Sequence, residues 1–256
     1  NGSSLLFATY IGGIDKAKSF CINPLKNKIT IFGYSKSNDF PVTQNSFDPT
    51  YNGNHDIFIS KLDTSGSIMN ASTYIGGADD DGAPGAWNPY AMRNYEFVED
   101  DNANIYAVSA SNSIDFPVSP NAYSTAINGI YDAVAFKLDS CVCTLVWSTY
   151  FGGVGKDCAN SLRLDGQGGI YFIGTTTSMD LPITSGVEGP TFAGGSQDAY
   201  VTHLNSGGNT IAASSFAGAS GLDYGYLLTL DKNSNVLLYS LLISGSASGF
   251  APTPNA

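Results

Sequence analysis

The 256-residue chain has few positive charges. Lys and Arg together number 11, against 22 Asp and Glu, so the net charge is −11 and the pI is about 4.3. A nucleic-acid binder would need a basic face, and a membrane-surface protein a polybasic patch, so the charge disfavours both classes. No apolar run approaches the ~18 residues of a transmembrane helix, and no membrane span is predicted.

Glutamate is scarce as well. Only 3 of the 22 acidic residues are Glu and the rest are Asp, while the chain contains 29 Gly, 15 Tyr and 14 Phe. Asp and Gly favour turns, whereas Glu favours helices and aromatic residues favour strands. The composition therefore predicts an all-β protein.

Three motifs recur in one order and one register. The first combines a small residue, an aromatic and a glycine pair: ATYIGG at 8–13, STYIGG at 72–77, STYFGG at 148–153 and a weaker SSFAGA at 214–219. The second is SNDFPV at 37–42, SIDFPV at 113–118 and SMDLPI at 178–183. The third is DIFISKLD at 56–63, DAVAFKLD at 132–139 and DAYVTHLN at 198–205. Units of roughly 65 residues with a fixed internal order indicate a repeat protein.

Each unit contains four short apolar runs separated by turn residues, which predicts an antiparallel four-stranded meander. Several runs, such as Ala133–Phe136, are apolar on both faces and must be covered on both sides. Stacking successive sheets around an axis covers them, so we predict a β-propeller with about three and a half blades. Residues 1–256 would form one propeller domain or a propeller segment, and a flat solenoid of meanders is the alternative architecture.

These motifs resemble the bacterial SBBP repeat, the so-called seven-bladed beta-propeller repeat. The resemblance covers essentially the whole chain and is weakest in the fourth unit. It implies a propeller fold and, because such repeats occur mostly in large secreted or surface-attached bacterial proteins, an extracellular or cell-surface location. It implies no reaction and carries over no catalytic residues.

The sequence begins and ends within a repeat. Residues 1–10 align with 65–74, the last strand of a blade, and residues 250–256 align with 116–122, the loop after a second strand. Three interpretations follow: a piece of a longer propeller, a closed four-bladed ring completed by residues 3–10, or a strand donated to another chain's open blade. The last would give a head-to-tail polymer.

The second unit is 10 to 12 residues longer than its neighbours, and the excess lies between Gly77 and Phe97. Long loops on rigid scaffolds often carry binding residues. Trp87, Asn88 and Tyr90 are therefore candidate ligand- or partner-binding residues, since aromatic rings can stack on a sugar or fill a partner's pocket. A solvated insertion with its Trp packed over the blade edge is the structural alternative.

Consecutive carboxylates in the same loop, Asp79, Asp80 and Asp81, are weak candidate calcium ligands. Acidic residues also recur in the first three units, before the Pro of the second motif and at the start of the third. Such repeated Asp residues are expected to cap turns through side-chain to backbone hydrogen bonds, with calcium coordination as the alternative. Calcium is the one cofactor for which the sequence offers ligands.

The remaining reactive residues give little evidence for catalysis. His55 and His203 occupy non-equivalent repeat positions, so they are not a repeated ligand set. Cys141 and Cys143 flank a predicted hairpin turn; a disulfide there would be tight, and a C-x-C pair without a second pair or a His is poor evidence for zinc. No nucleophile, phosphate-binding or metalloprotease motif is present.

The sequence therefore predicts a non-enzymatic repeat module of a secreted or cell-surface bacterial protein, acting as an adhesion and display scaffold through blade-edge loops. Its expected partners are a protein or glycan at the cell surface, further blades of the parent protein or neighbouring subunits. One alternative is a structural subunit of an extracellular filament joined by strand exchange. The other is an extracellular glycan-active enzyme, which would need paired carboxylates on the central face.

Overall fold

The computed structural model describes residues 8–12, 15–23, 28–82, 96–230 and 237–243 of the chain. Within these residues the secondary structure consists of strands, with no helix that is long and apolar enough to cross a membrane. The strands are β1 (Asp15–Asn23), β2 (Lys28–Ser35), β3 (Asp56–Asp63), β4 (Met69–Ile75), β5 (Glu96–Glu99), β6 (Ile105–Ser111), β7 (Asp132–Leu138), β8 (Leu145–Phe151), β9 (Asp157–Leu164), β10 (Ile170–Thr176), β11 (Asp198–Leu204), β12 (Ile211–Phe216), β13 (Asp223–Leu230) and β14 (Leu237–Ile243).

The strands form three four-stranded antiparallel meanders, followed by one antiparallel pair. The first sheet is β1–β4, the second β5–β8 and the third β9–β12, each with neighbouring strands in chain order, and β13 pairs with β14. This arrangement confirms the predicted all-β fold of four-stranded blades, with about three and a half blades in the chain.

Successive sheets pack face to face, which explains the strands without polar–apolar alternation. In β6, at the middle of the second sheet, every residue is buried. On one side Phe32 and Ile59 of the first sheet share a hydrophobic cluster with Phe136 of the second. On the other, Trp147 of the second sheet shares a cluster with Phe172 of the third. A strand between two such clusters must be apolar on both faces.

The STY motif recurs because it fastens a loop within its own sheet. Thr73 Oγ1 accepts the Asp48 amide at 2.8 Å, and the Tyr74 hydroxyl donates to the Ser37 carbonyl at 2.7 Å. These bonds fix both ends of the Pro-containing loop between β2 and β3. The second sheet repeats them, with Ser124 N to Thr149 Oγ1 at 2.9 Å and Tyr150 Oη to Ser113 O at 2.5 Å.

Buried charges tie neighbouring sheets together. The Lys61 ammonium, in β3, donates to the carbonyls of Ala103 at 2.7 Å and Ser140 at 3.0 Å, and lies 3.7 Å from the Glu99 carboxylate. Such compensation is needed because an unpaired buried charge is strongly destabilising. A partly exposed pair joins the next two sheets, where Glu96 of the second sheet accepts Arg163 Nη1 of the third at 2.8 Å.

Candidate functional site

The predicted acidic loop begins where the first sheet meets the second. We call residues 77–82 the acidic turn, and the contact region that it forms with Asp56 and Gly76 the first junction. Three consecutive amides of the turn donate to side chains of the loop after β6: Ala78 to Asp115 Oδ1 at 2.8 Å, Asp79 to Ser113 Oγ at 2.9 Å and Asp80 to Asn112 Oδ1 at 2.7 Å. The backbone of the turn is therefore fixed by the following sheet.

Asp81 is the structural acid of the turn. Its buried carboxylate accepts the Gly77 amide at 2.7 Å and the Ser113 hydroxyl at 2.8 Å through Oδ2. Burial raises the pKa of Asp81 to about 6, although these hydrogen bonds partly oppose the shift. The Asp81 carboxylate therefore joins the two ends of the acidic turn, and joins the turn to the loop that carries Ser113.

Asp56, at the start of β3, faces Asp81 across Gly76. A methyl group on Gly76 would lie 2.8 Å from Asp56 Oδ1 and 3.0 Å from Asp81 Oδ2, so no side chain fits there. Burial raises the pKa of Asp56 to about 7, and repulsion by Asp81 adds to this, while the hydrogen bond from the Asn52 amide lowers it. The first glycine of the repeated pair is required by this close approach.

The same carboxylate pair recurs at two further places. The second junction, between the second and third sheets, packs Asp132 and Asp157 around Gly152; the third, between the third sheet and β13, packs Asp198 and Asp223 around Gly218. Burial raises the pKa of Asp132 to about 7 and that of Asp157 to about 6. These acids repeat because the sheet contact repeats.

The second glycine of the pair also meets a carboxylate. A methyl group on Gly77 would lie 2.3 Å from Asp115 Oδ1, and one on Gly153 would lie 2.3 Å from Asp180 Oδ1. Asp180 accepts the Val154 amide at 3.0 Å, just as Asp115 accepts that of Ala78. The repeated acids accept backbone amides as predicted, but Asp115 and Asp180 accept them from the turn of the preceding sheet rather than from their own turn.

The other two acids of the triplet have different surroundings. Asp79 is exposed, whereas Asp80 contacts His55 Nδ1 through Oδ1 and accepts the Tyr131 hydroxyl at 3.3 Å through Oδ2. The ring of Tyr34 stands edge-on to His55 at a centroid distance of 5.2 Å. The acidic turn thus adds a His–Asp pair to the first junction.

Calcium at Asp79, Asp80 and Asp81 remains a prediction. The three carboxylates are respectively exposed, paired with His55 and buried against Ser113. Among the residues that the structure describes, no set of three acid, His or Cys ligand atoms within 4.8 Å of one another includes any of these carboxylates.

The candidate binding residues Trp87, Asn88 and Tyr90 lie outside the described residues. The strand registers nevertheless define the size of their insertion. Glu96 in β5 and Ser161 in β9 hold equivalent places in the second and third sheets. Asp81 and Asp157 are equivalent as well, since each accepts the amide of the second glycine of the pair. Residues 82–95 of the sequence therefore correspond to residues 158–160 of the next unit.

The histidines occupy structural environments that differ between sheets. His203 lies in β11, where its Nε2 is 2.9 Å from Asp165 Oδ2 and its ring stacks on Tyr171 at 4.0 Å. His55 precedes β3, and the sequence alone does not predict its pairing with Asp80. A comparison of the repeats could have singled out His55 and Asp80, because both differ from the equivalent residues of the second junction, Tyr131 and Lys156.

These sheets and junctions define a repeat module of the β-propeller class. Residues 146–182, which contain β9, β10 and all of β8 except Leu145, match the family model for the SBBP beta-propeller repeat. This segment is therefore similar to an SBBP repeat, as the sequence motifs predict. No curated protein matches the chain.

Proposed function

We propose that this propeller module is a non-enzymatic adhesion and display scaffold of a secreted or cell-surface bacterial protein. The observation that carries the proposal is the fixed base of the insertion. Asn112, Ser113 and Asp115 hold the backbone of the acidic turn, and residues 83–95 follow directly. A binding segment anchored at a rigid base loses less conformational entropy when it binds.

The chemistry of the insertion favours a glycan or protein partner. Trp87 and Tyr90 supply aromatic faces suited to sugar stacking or to a partner's pocket, and Asn88 adds an amide that can donate and accept hydrogen bonds. The net charge of −11 disfavours polyanionic partners. The SBBP resemblance supports the extracellular location.

A glycan array probed with the labelled chain tests this function. The double variant W87A/Y90A is expected to bind at least tenfold more weakly than the unaltered chain, with its thermal unfolding unchanged. The matched control is Y10A, which removes a fully exposed Tyr from a repeated motif. Equal losses in the two variants, or retained binding by W87A/Y90A, would contradict the proposed role of the insertion.

The alternative of a glycan-active enzyme has an apparent candidate in the Asp56–Asp81 pair. Two neighbouring carboxylates, one with a raised pKa, are the groups that glycoside hydrolysis uses. Both side chains, however, are fully buried and pack against Gly76. A D56N variant should consequently leave glycan binding unchanged, and any hydrolysis lost in D56N would favour the enzyme instead.

A further inference from the structure

The hairpin turn between β7 and β8 carries a group of residues that no other described turn contains. Cys141 and Cys143 form a disulfide there, and Asp139 ends the preceding strand motif. Cys141 is exposed, and its Sγ lies 3.3 Å from each carboxylate oxygen of Asp139. Within the described part of the chain, this is the one group of three metal-ligating side chains whose ligand atoms lie within 4.8 Å.

The equivalent turn of the first sheet tests whether the disulfide creates this convergence. There Asp63, Ser65 and Ser67 replace Asp139 and the two cysteines. Ser65 Oγ contacts Asp63 Oδ2, Ser67 Oγ lies 3.3 Å from the same oxygen, and the two hydroxyl oxygens are 2.5 Å apart. Because no covalent bond joins the serines, the turn itself brings the three side chains together.

The turn in the second sheet is also held by bonds other than the disulfide. Asp139 Oδ1 accepts the amides of Cys143 at 2.9 Å and Thr144 at 3.2 Å. The buried Val142 between the cysteines packs into the core next to the first sheet, and its carbonyl accepts the Phe47 amide at 3.0 Å. Reduction of the disulfide should therefore leave the turn folded.

We propose that the reduced turn is a binding site for a soft divalent cation, with Zn²⁺ as the reference ion. A two-electron reduction by an external thiol or phosphine, with uptake of two protons, converts the disulfide into two thiols. Zn²⁺ then displaces both thiol protons and is bound by the thiolates of Cys141 and Cys143 and a carboxylate oxygen of Asp139. Water completes the tetrahedron.

Electrostatics favours a cation over free thiolates at this place. A carboxylate beside two thiols opposes their ionisation unless a positive charge compensates. Usual Zn–S and Zn–O bond lengths in a tetrahedron separate sulfur and oxygen by about 3.6 Å, close to the 3.3 Å between Cys141 Sγ and Asp139. Thiolate ligands select zinc or other soft ions rather than calcium.

Two variants copy neighbouring turns of the same chain and should fold. C141S/C143S reproduces the Ser65 and Ser67 turn, and D139N reproduces the third-sheet turn, where Asn205 Oδ1 accepts the amides of Asn209 and Thr210. Each chain is reduced with a phosphine, desalted without oxygen and titrated with Zn²⁺ against a chromophoric chelator. Cys21 and Cys158 are common to all variants, so differences report the turn.

The reduced wild-type chain is expected to bind one more equivalent of Zn²⁺ than C141S/C143S. D139N should lose at least about tenfold in affinity, since even outer-shell partners of a metal site are worth that much. Co²⁺ in place of Zn²⁺ should give a thiolate-to-cobalt absorption band that C141S/C143S lacks. Transplanting the thiols as S65C/S67C beside Asp63 should add a second site.

Three results would overturn the proposal. One is equal Zn²⁺ stoichiometry in the reduced wild-type chain and C141S/C143S. Another is unchanged affinity in D139N, which would remove Asp139 from the ligand set. The third is loss of β-sheet circular dichroism on reduction, because the site requires a turn that stays folded without the disulfide. None of these measurements depends on the adhesion function.

Discussion

The first and second junctions share a backbone arrangement but differ in the side chains beside their buried acids. In both, a buried acid accepts a glycine amide and a serine hydroxyl: Asp81 with Gly77 and Ser113, and Asp157 with Gly153 and Ser178. Beside these acids, however, the partly buried His55 and Asp80 stand in the first junction where Tyr131 and Lys156 stand in the second.

This difference separates structural from functional sequence. The buried acids and the glycines repeat because each sheet must pack against the preceding sheet. The pair His55–Asp80 and the insertion after Gly82 do not repeat, so the contact between sheets cannot require them. Residues that vary between otherwise similar junctions are therefore the candidates for binding.

The largest expected effect comes from removing the buried acid. D81A and D157A should each destabilise the chain by about 2 kcal/mol, because a buried amide and a buried hydroxyl both lose their acceptor. Denaturant unfolding measures the loss, and D79A, at an exposed acid, should stay within about 0.5 kcal/mol of the unaltered chain. If only one of the two variants is destabilised, the two junctions are not equivalent.

The carboxylate pairs also make stability depend on pH. The pKa values of Asp56 and Asp132 are about 7 and those of Asp81, Asp157 and Asp198 about 6, all above their ordinary value. The folded chain thus holds protons that the unfolded chain has released, and its stability is expected to fall as the pH rises from about 4 to 7. The melting temperature, measured in the presence of a chelator, should be higher at pH 5 than at pH 8.

D198N sharpens this test at the third junction. Asp198 accepts the Ala193 amide through Oδ2, whereas its buried Oδ1 has no hydrogen-bond partner among the residues that the structure describes. An amide keeps the acceptor and removes the titration, so D198N should flatten the pH dependence. The matched control is D63N at an exposed turn, where hydrogen bonds from Ser65 and Ile68 lower the pKa of Asp63. If D198N and D63N change the pH dependence in the same direction, burial is not its cause.

The smallest effect is expected from exchanging the side chains that differ between the two junctions. H55Y/D80K gives the first junction the side chains of the second, and it should alter the free energy of unfolding by less than about 1 kcal/mol, since a partly exposed ion pair contributes little. The reverse exchange, Y131H/K156D, should cost more because Tyr131 is buried. A larger loss in H55Y/D80K would mean that His55 and Asp80 belong to the structural part of the junction.

The fold was predictable because its determinants are repeated locally. The STY motif, the acid before the Pro and the strand starting with Asp each bond within one sheet or to its neighbour. The last repeat shows a paired change. Ala219 replaces the second glycine of the motif, and Gly249 occupies the position that aligns with the acid before the Pro.

The partners of individual carboxylates could not be predicted. Asp56 and Asp81 come from successive sheets, and their approach across Gly76 depends on how those sheets stack. Asp139 looked like one more repeated acid, and a C-x-C pair without a third ligand gave no reason to consider zinc. Only the geometry of the turn shows that the Asp139 carboxylate lies beside Cys141 and Cys143.

Native-state hydrogen exchange of three amides tests most directly whether equivalent buried acids hold the three junctions together. Gly77, Gly153 and Ala219 donate to the carboxylates of Asp81, Asp157 and Asp223 at 2.7, 2.8 and 2.6 Å. If the junctions are equivalent, the three protection factors should agree within about tenfold. Exchange of any one of them at the rate of an unfolded chain would contradict the account.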